Sequence, residues 1–212
     1  MSAPSSRTLP GAAAALITVV FWGSAFAAIR AGLHSYSPAH VALLRYLCAS
    51  AACAVIVARP GMRRPALRDV PRVVLLGLLG FAFYNIIQKT MLDRYRPLEI
   101  TTWAIWAGTL LLLPFSGGLF AEVRSAPLAD TLAVVYLGAA PAALAYVTWA
   151  VVLSLLPASR ASSILFVVPV IAFLVGWVWL GEAPTLNDLA GGILAMGGVA
   201  LVNTLGRARK EH

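Results

Sequence analysis

The chain has 212 residues, of which 60% are hydrophobic and only 11% charged, and its formal net charge is +8. That is too little polar surface to solvate a globule of this size, so a soluble domain is excluded, and the positive charge must be judged by where it sits. A helix needs about 20 apolar residues to cross the ~30 Å hydrocarbon layer of a bilayer, and about seven such runs follow one another here, so the sequence predicts an all-α polytopic membrane protein.

The first run, 12–33, follows the segment MSAPSSRTLP. Counted from Gly11 to Leu33 it exceeds the apolar core of a secretory signal peptide, and further spans come after it, so it is read as a retained first helix. Trp22 lies deep within it and Arg30 near its end. The second run, 39–58, holds Arg45 well inside, together with Cys48 and Cys53 at a spacing that does not face them at each other. They are expected to be packing thiols rather than a disulfide or a metal site.

The next loop is short and Pro-rich, interleaving Arg59, Arg63, Arg64, Arg68 and Arg72 with Pro60, Pro65 and Pro71, so no linker sets off a soluble domain. The third run, 73–92, carries Tyr84, Asn85, Gln88 and Lys89 in its second half and is followed by Arg94 and Arg96. Run 98–117 brings Trp103 and Trp106, run 129–153 brings Tyr146 and Trp149, and run 161–181 has Trp177 and Trp179 near its end. The last run, 186–205, places Gly191, Ala195 and Gly198 on one face, as close helix packing requires, and ends before Arg207, Arg209 and Lys210.

Basic residues in short loops mark the cytoplasmic side and favour anionic lipid, so the cations read as orientation and not as nucleic-acid binding. Arg7 and the five-arginine loop put the N-terminus and the 59–72 loop inside and the 34–38 turn outside. Read backward from the C-terminus, Arg160 falls inside and the loop from Glu122 to Asp130 outside, which puts Lys89, Arg94 and Arg96 inside as well. Run 73–92 is then flanked by two cytoplasmic loops. Its length predicts one continuous crossing and seven spans in all. Charge opposes this with a comparable force of a few kcal/mol, so the sequence predicts mixed topology in cells.

An internal repeat accompanies this conflict. Arg30, Leu33, Tyr36 and Pro38 recur as Lys89, Leu92, Tyr95 and Pro97 at identical spacing, each time ahead of an apolar run. Chance in a chain of skewed composition and a duplicated helical unit both account for it.

Catalytic patterns are missing: there is no His-Glu-x-x-His, no Gly-x-Ser-x-Gly, no glycine-rich phosphate loop and no acid pair within a run. No enzyme, cofactor or metal is expected, and a retinal protein is excluded because run 186–205 has no Lys. Ionisable groups within spans usually face a bundle interior. Arg45 either lines a polar cavity or pairs with backbone carbonyls, whereas Arg30 and Lys89, near helix ends, are read as headgroup anchors. Asn85 and Gln88 either bind a neighbouring helix or a ligand. Trp22, Trp103, Trp106, Tyr146 and Trp149 form either an aromatic wall for an amphipathic solute or part of the interfacial aromatic belt, which Trp177 and Trp179 suit better.

Phe21-Trp22-Gly23-Ser24-Ala25-Phe26, Leu44-Arg45-Tyr46, and the stretch from Pro157 through Pro169 and Leu180-Gly181-Glu182 to Gly191-Gly192 resemble the EamA-type transporters of the drug/metabolite transporter superfamily. The resemblance covers nearly the whole chain. It implies a ten-helix protein of two inverted five-helix repeats that exports small metabolites or amphipathic compounds by alternating access. Here the fourth and fifth helices look absent, the stretch from Val73 to about Tyr84 resembling the third helix and that from Ile86 to Tyr95 the end of the sixth. The expected organisation is therefore a truncated first repeat at 1–85 and a second at 86–212, forming one bundle in the inner membrane. Substrate-contacting candidates on this reading are Trp22, Ser24, Arg45, Tyr84, Asn85, Trp103, Tyr146 and Trp149. The partners implied are a small-molecule substrate and the lipid bilayer, with a homodimer left open and no nucleic acid. The alternative is a non-transporting remnant, or a gene-model artefact, acting if at all through helix contacts.

Overall fold

A computed structural model describes residues 8–57, 64–78, 87–181, 185, 191–192 and 197, and all regular structure among them is helical. The helices are α1 (Thr8–Leu33), α2 (Pro38–Val57), α3 (Val70–Leu78), α4 (Pro97–Leu112), α5 (Leu119–Ser125), α6 (Leu128–Leu137), α7 (Ala145–Leu155), α8 (Ala158–Ile164) and α9 (Val168–Leu180). Lipid offers no partner for backbone N–H or C=O groups, so long apolar segments close their hydrogen bonds within a helix. Five stretches are long and apolar enough to cross a membrane: Gly11–Leu33, Pro38–Val55, Pro97–Phe115, Leu128–Leu155 and Arg160–Leu180. They coincide with five of the predicted runs. Run 186–205 lies almost wholly outside the described residues, and the middle of run 73–92, with Tyr84 and Asn85, does too.

Local chemistry fixes the ends of the rods. Pro97 opens α4, where its fixed φ and missing N–H cost nothing, and the Glu99 carboxylate reaches back to accept the Arg96 N–H at 2.8 Å. Gly181, in the left-handed region at φ 67°, stops α9 and donates its N–H to the Trp177 carbonyl at 3.1 Å.

Helix α1 packs against α6, α7 and α9, while α2 lies against α4 and the segment Gly138–Leu144; α4 in turn carries α3 and touches α7. Between apolar helices in lipid there is no hydrophobic drive, so close approach of small residues holds them. A Cβ at Gly108 would come within 2.4 Å of the Tyr46 ring, and one at Gly138 within 2.5 Å of the Arg45 carbonyl. Exposed Leu16, Val55, Leu110 and Val178 belong to the lipid-facing periphery.

The two ends of the bundle differ in charge. At one, the 34–37 turn meets the 116–131 segment: Tyr36 and Thr131 share a hydrogen bond of 2.6 Å, and Ser35 donates to Asp130. At the other, Asp69 is nearly fully buried and gathers the basic loops. It accepts from the Tyr95 hydroxyl at 2.7 Å and pairs with Arg72 at 3.3 Å and Arg94 at 3.7 Å, while the Ala66 N–H donates to Tyr95 at 2.9 Å. The Tyr95 hydrogen bond, opposed by desolvation and aided by Arg94, Arg68 and Arg72, holds the Asp69 carboxyl below its ordinary range.

This contact corrects the expectation of one continuous helix over 73–92. A straight helix over 70–92 would be about 35 Å long at 1.5 Å per residue, yet the residues flanking it are hydrogen-bonded side chain to side chain. The chain therefore enters along α3 and returns along 87–91 to the same end, and Val73, Leu76 and Met91 share one apolar cluster with Ile100 and Ala104 of α4. The two loops flanking this segment therefore meet at one end of the bundle, as their shared positive charge predicts. Lys89 donates to the carbonyls of Leu153 and, at 3.1 Å, Leu156, which are orphan acceptors at the C-terminal end of α7. It is a cap on that helix and not the headgroup anchor expected from sequence.

In oriented membrane vesicles, single cysteines at Arg64 and Asp93 are expected to react with an impermeant maleimide from one side, and cysteines at Gly117 and Arg124 only from the other. Labelling of Arg64 and Asp93 from opposite sides would restore the continuous span.

Candidate functional site

The most unusual backbone in the bundle lies beside Arg45. Between α6 and α7 the chain winds from Gly138 to Leu144 as a π-helical stretch with Pro141 inside it. Proline has no N–H and crowds the carbonyl four residues earlier, and the wider turn accommodates both defects. The Pro141 carbonyl accepts from the Trp22 indole N–H at 3.1 Å.

Trp22 is the hub of an aromatic chain. Its ring centroid is 5.1 Å from that of Tyr146, edge-on at 67°, and 5.5 Å from that of Trp149. Tyr146 in turn borders the same small cavity as Arg45, whose guanidinium lies 5.8 Å from the centroid of the Tyr46 ring. Arg45 enters about 10 Å from the α2 N-terminus at 1.5 Å per residue, and its Nε is buried without a hydrogen-bond partner among the described residues. No acidic side chain among the described residues pairs with it. Arg45, Tyr46, Ala49, Leu76, Ala142 and Tyr146 border a cavity of about 20 Å³, roughly room for one water.

The structure thus brings together Trp22 of α1, Arg45 of α2, and Tyr146 and Trp149 of α7. Trp149 is fully buried, packing with Val152, Leu153 and Ala161, and does not border the cavity. Trp103 contacts Trp106 at 5.1 Å and packs on the α3–α4 cluster that also touches Tyr146. Ser24 stands apart: its hydroxyl bonds the Phe21 carbonyl at 3.0 Å and the Tyr136 hydroxyl at 2.6 Å, tying α1 to α6. Tyr84 and Asn85 lie outside the described residues. Cys48 and Cys53 are free thiols, and no cluster of metal-ligating side chains occurs among the described residues.

Tyr46 and Pro141 were not among the sequence candidates. A proline three residues after a glycine inside an apolar run was the available signal for the second; the first adjoins Arg45 but carries no feature that distinguishes it from a packing aromatic.

A model of the EamA-like transporter family matches residues 9–86 and 73–204. The chain belongs to this family. Among relatives of this EamA-like chain, it is 30% identical over 267 aligned positions to the uncharacterized transporter YdfC of Bacillus subtilis, covering 86% of this chain and 87% of that protein. It is 29% identical to a probable terminal-alkyne amino-acid exporter of Streptantibioticus cattleyicolor, covering 93% and 95%, and 24% identical to an uncharacterized transporter of Archaeoglobus fulgidus, covering 88% and 96%. No solved structure matches it.

Because Trp149 fills the junction of α1, α7 and α8 with no exposed surface, Trp149→Ala is expected to destabilise this EamA-like bundle by about 3–5 kcal/mol, lowering accumulation and the thermal midpoint in detergent. Full accumulation with an altered solute profile would instead make it a cavity wall.

Proposed function

We propose that this membrane transporter is a secondary exporter of small amphipathic metabolites bearing a carboxylate, in the inner membrane with its basic end toward the cytoplasm. The observation that carries this reading is the half-buried Arg45, which has a buried Nε with no hydrogen-bond partner and no acidic partner among the described residues, and a cavity against it. A cation in a low-dielectric site is costly until an anion reaches it, and a carboxylate meets a guanidinium fork at two points. The adjoining Trp22, Tyr46 and Tyr146 rings suit the apolar part of such a solute. The amino-acid exporter among the relatives supports the same class of solute.

Transport would proceed by alternating access, the two repeats rocking about Arg45 without ATP. Two family matches support a division near residue 85, since they overlap over 73–86, where the third and sixth helices of the parent would be fused. The alignment with the Bacillus subtilis relative runs over 267 positions although the chain has 212 residues, which supports an internal deletion. The same deletion, with a cavity that holds only a water, favours a second reading: a remnant that no longer moves solute.

In proteoliposomes, efflux of 3-phenylpropionate is expected to exceed that of 3-phenylpropanol, and Arg45→Ala to cut it roughly 10- to 100-fold, the loss of a charged hydrogen bond, at unchanged membrane insertion. Equal loss of insertion would make Arg45 structural. Absence of flux above empty vesicles for any probe, with the fold intact, would establish the remnant.

A further inference from the structure

We propose that His40 and Glu122 form a proton-binding latch that holds the acidic end of the bundle closed, a role separate from solute binding at Arg45. His40, at the start of α2, is buried, and both its ring nitrogens face acceptors. Nε2 lies 2.9 Å from the Gly117 carbonyl oxygen, and Nδ1 lies 2.7 Å from Glu122 Oε2, close but poorly aligned for a hydrogen bond. The Ser37 N–H donates to the same carboxylate oxygen at 3.1 Å.

The proton count follows from chemistry. A carbonyl oxygen only accepts, so the hydrogen on the ring must be at Nε2. A neutral imidazole would then set its Nδ1 against an ionised carboxylate at 2.7 Å, and two unprotonated acceptors repel at that distance, so one of the two groups carries a proton. The closed arrangement therefore holds one proton more than a neutral His40 with an ionised Glu122. Separation of the 37–40 segment from α5 releases that proton to water, and the proton's return favours closure.

The neighbouring charges do not supply a competing partner. On the 34–37 turn, Ser35 engages Asp130 of α6; on α5, the Arg124 guanidinium lies over the Phe120 ring at 4.6 Å; α2 bears no further charge before Arg45, and residues 110–118 bear none. At low pH the limit is Glu122. Desolvation pushes its carboxyl up, but the adjoining His40 ring and the hydrogen bond from the Ser37 N–H outweigh this and hold it below its ordinary range. A group depressed on closure contributes stability above its unfolded value and loses it as pH falls through the lowered one, so the latch fails only in stronger acid. On the alkaline side, loss of the shared proton opens it by up to tenfold per pH unit.

Hydrogen exchange of the full chain in nanodiscs, corrected for the intrinsic pH dependence of exchange, tests this. Between pH 5.5 and 8.5 the protection of the Ser37 amide and of 119–123 is expected to fall at least tenfold, while that of 97–108 holds. Glu122→Gln removes the carboxylate whose one oxygen both accepts the Ser37 N–H and faces Nδ1, so it is expected to lower protection at both pH values and to flatten its pH dependence, and His40→Ala to lose it at both. A flat profile in the unmodified protein, or the same slope in Glu122→Gln, would overturn the latch. Should His40→Ala lose protection over 97–108 as well, Glu122→Gln alone decides.

Discussion

The contact between Asp69 and Tyr95 sets the topology of everything that follows it. One carboxylate binds the loop before α3 to the loop before α4, so the intervening chain has to leave and return at the same end. Had run 73–92 crossed instead, each later helix would be inverted and Arg160 would exchange sides with Glu122 and Asp130. The cost of translocating basic loops thus meets a local structure that makes translocation unnecessary: two half-length helical pieces stacked on α4, with Gly77 set against Gly108 so that α3 can approach closely. The closing contacts are charge-assisted and lie at the bundle end, where water and headgroups share the cost of the arginines.

A second constraint works at mid-depth. Arg45 needs polar company within an apolar bundle, and the irregular stretch at Gly138–Leu144 brings it near. Because Gly138 lacks a side chain, that stretch comes up against the Arg45 backbone, and the Pro141 carbonyl within it anchors Trp22. Trp22 then fixes the edge of Tyr146, and Tyr146 borders the same small cavity as Arg45. One backbone irregularity accordingly positions a residue on α1 and another on α7 around a charge on α2.

Much of this architecture was legible in the sequence. Runs of about 20 apolar residues gave five spans within a few residues of their observed ends, because length and hydropathy are what a bilayer selects. Basic and acidic loops sorted to the two ends, the 34–37 turn meeting the 116–131 segment as their common assignment to one side predicts. What failed was the continuity of 73–92, since hydrophobic length cannot tell one crossing from two half-crossings. The candidate site was partly legible: depth picked out Arg45, Trp22 and Trp149, but depth does not reveal which side of a helix faces a cavity. Hence Trp149 proved to be core, and Ser24 an interhelical tie. His40 looked unremarkable at a helix end because its partner, Glu122, is 82 positions away and no local pattern links them.

The two ends of the bundle are closed by different means, and the difference bears on which can open. The basic end is joined by Asp69 to two loops and by Lys89 to the last carbonyls of α7, so α3, α4 and α7 are tied through one returning chain. Opening there must break several charged contacts together or move those helices as a unit. The acidic end is held by short hydrogen bonds from the 34–37 turn and by the pair of His40 and Glu122, which draw only α1 and α2 toward α5 and α6. No returning chain spans that end among the described residues. If one mouth opens while the rest of the bundle keeps its packing, the contacts to be broken are fewer at the acidic end, and the way out from Arg45 runs along α2 toward His40.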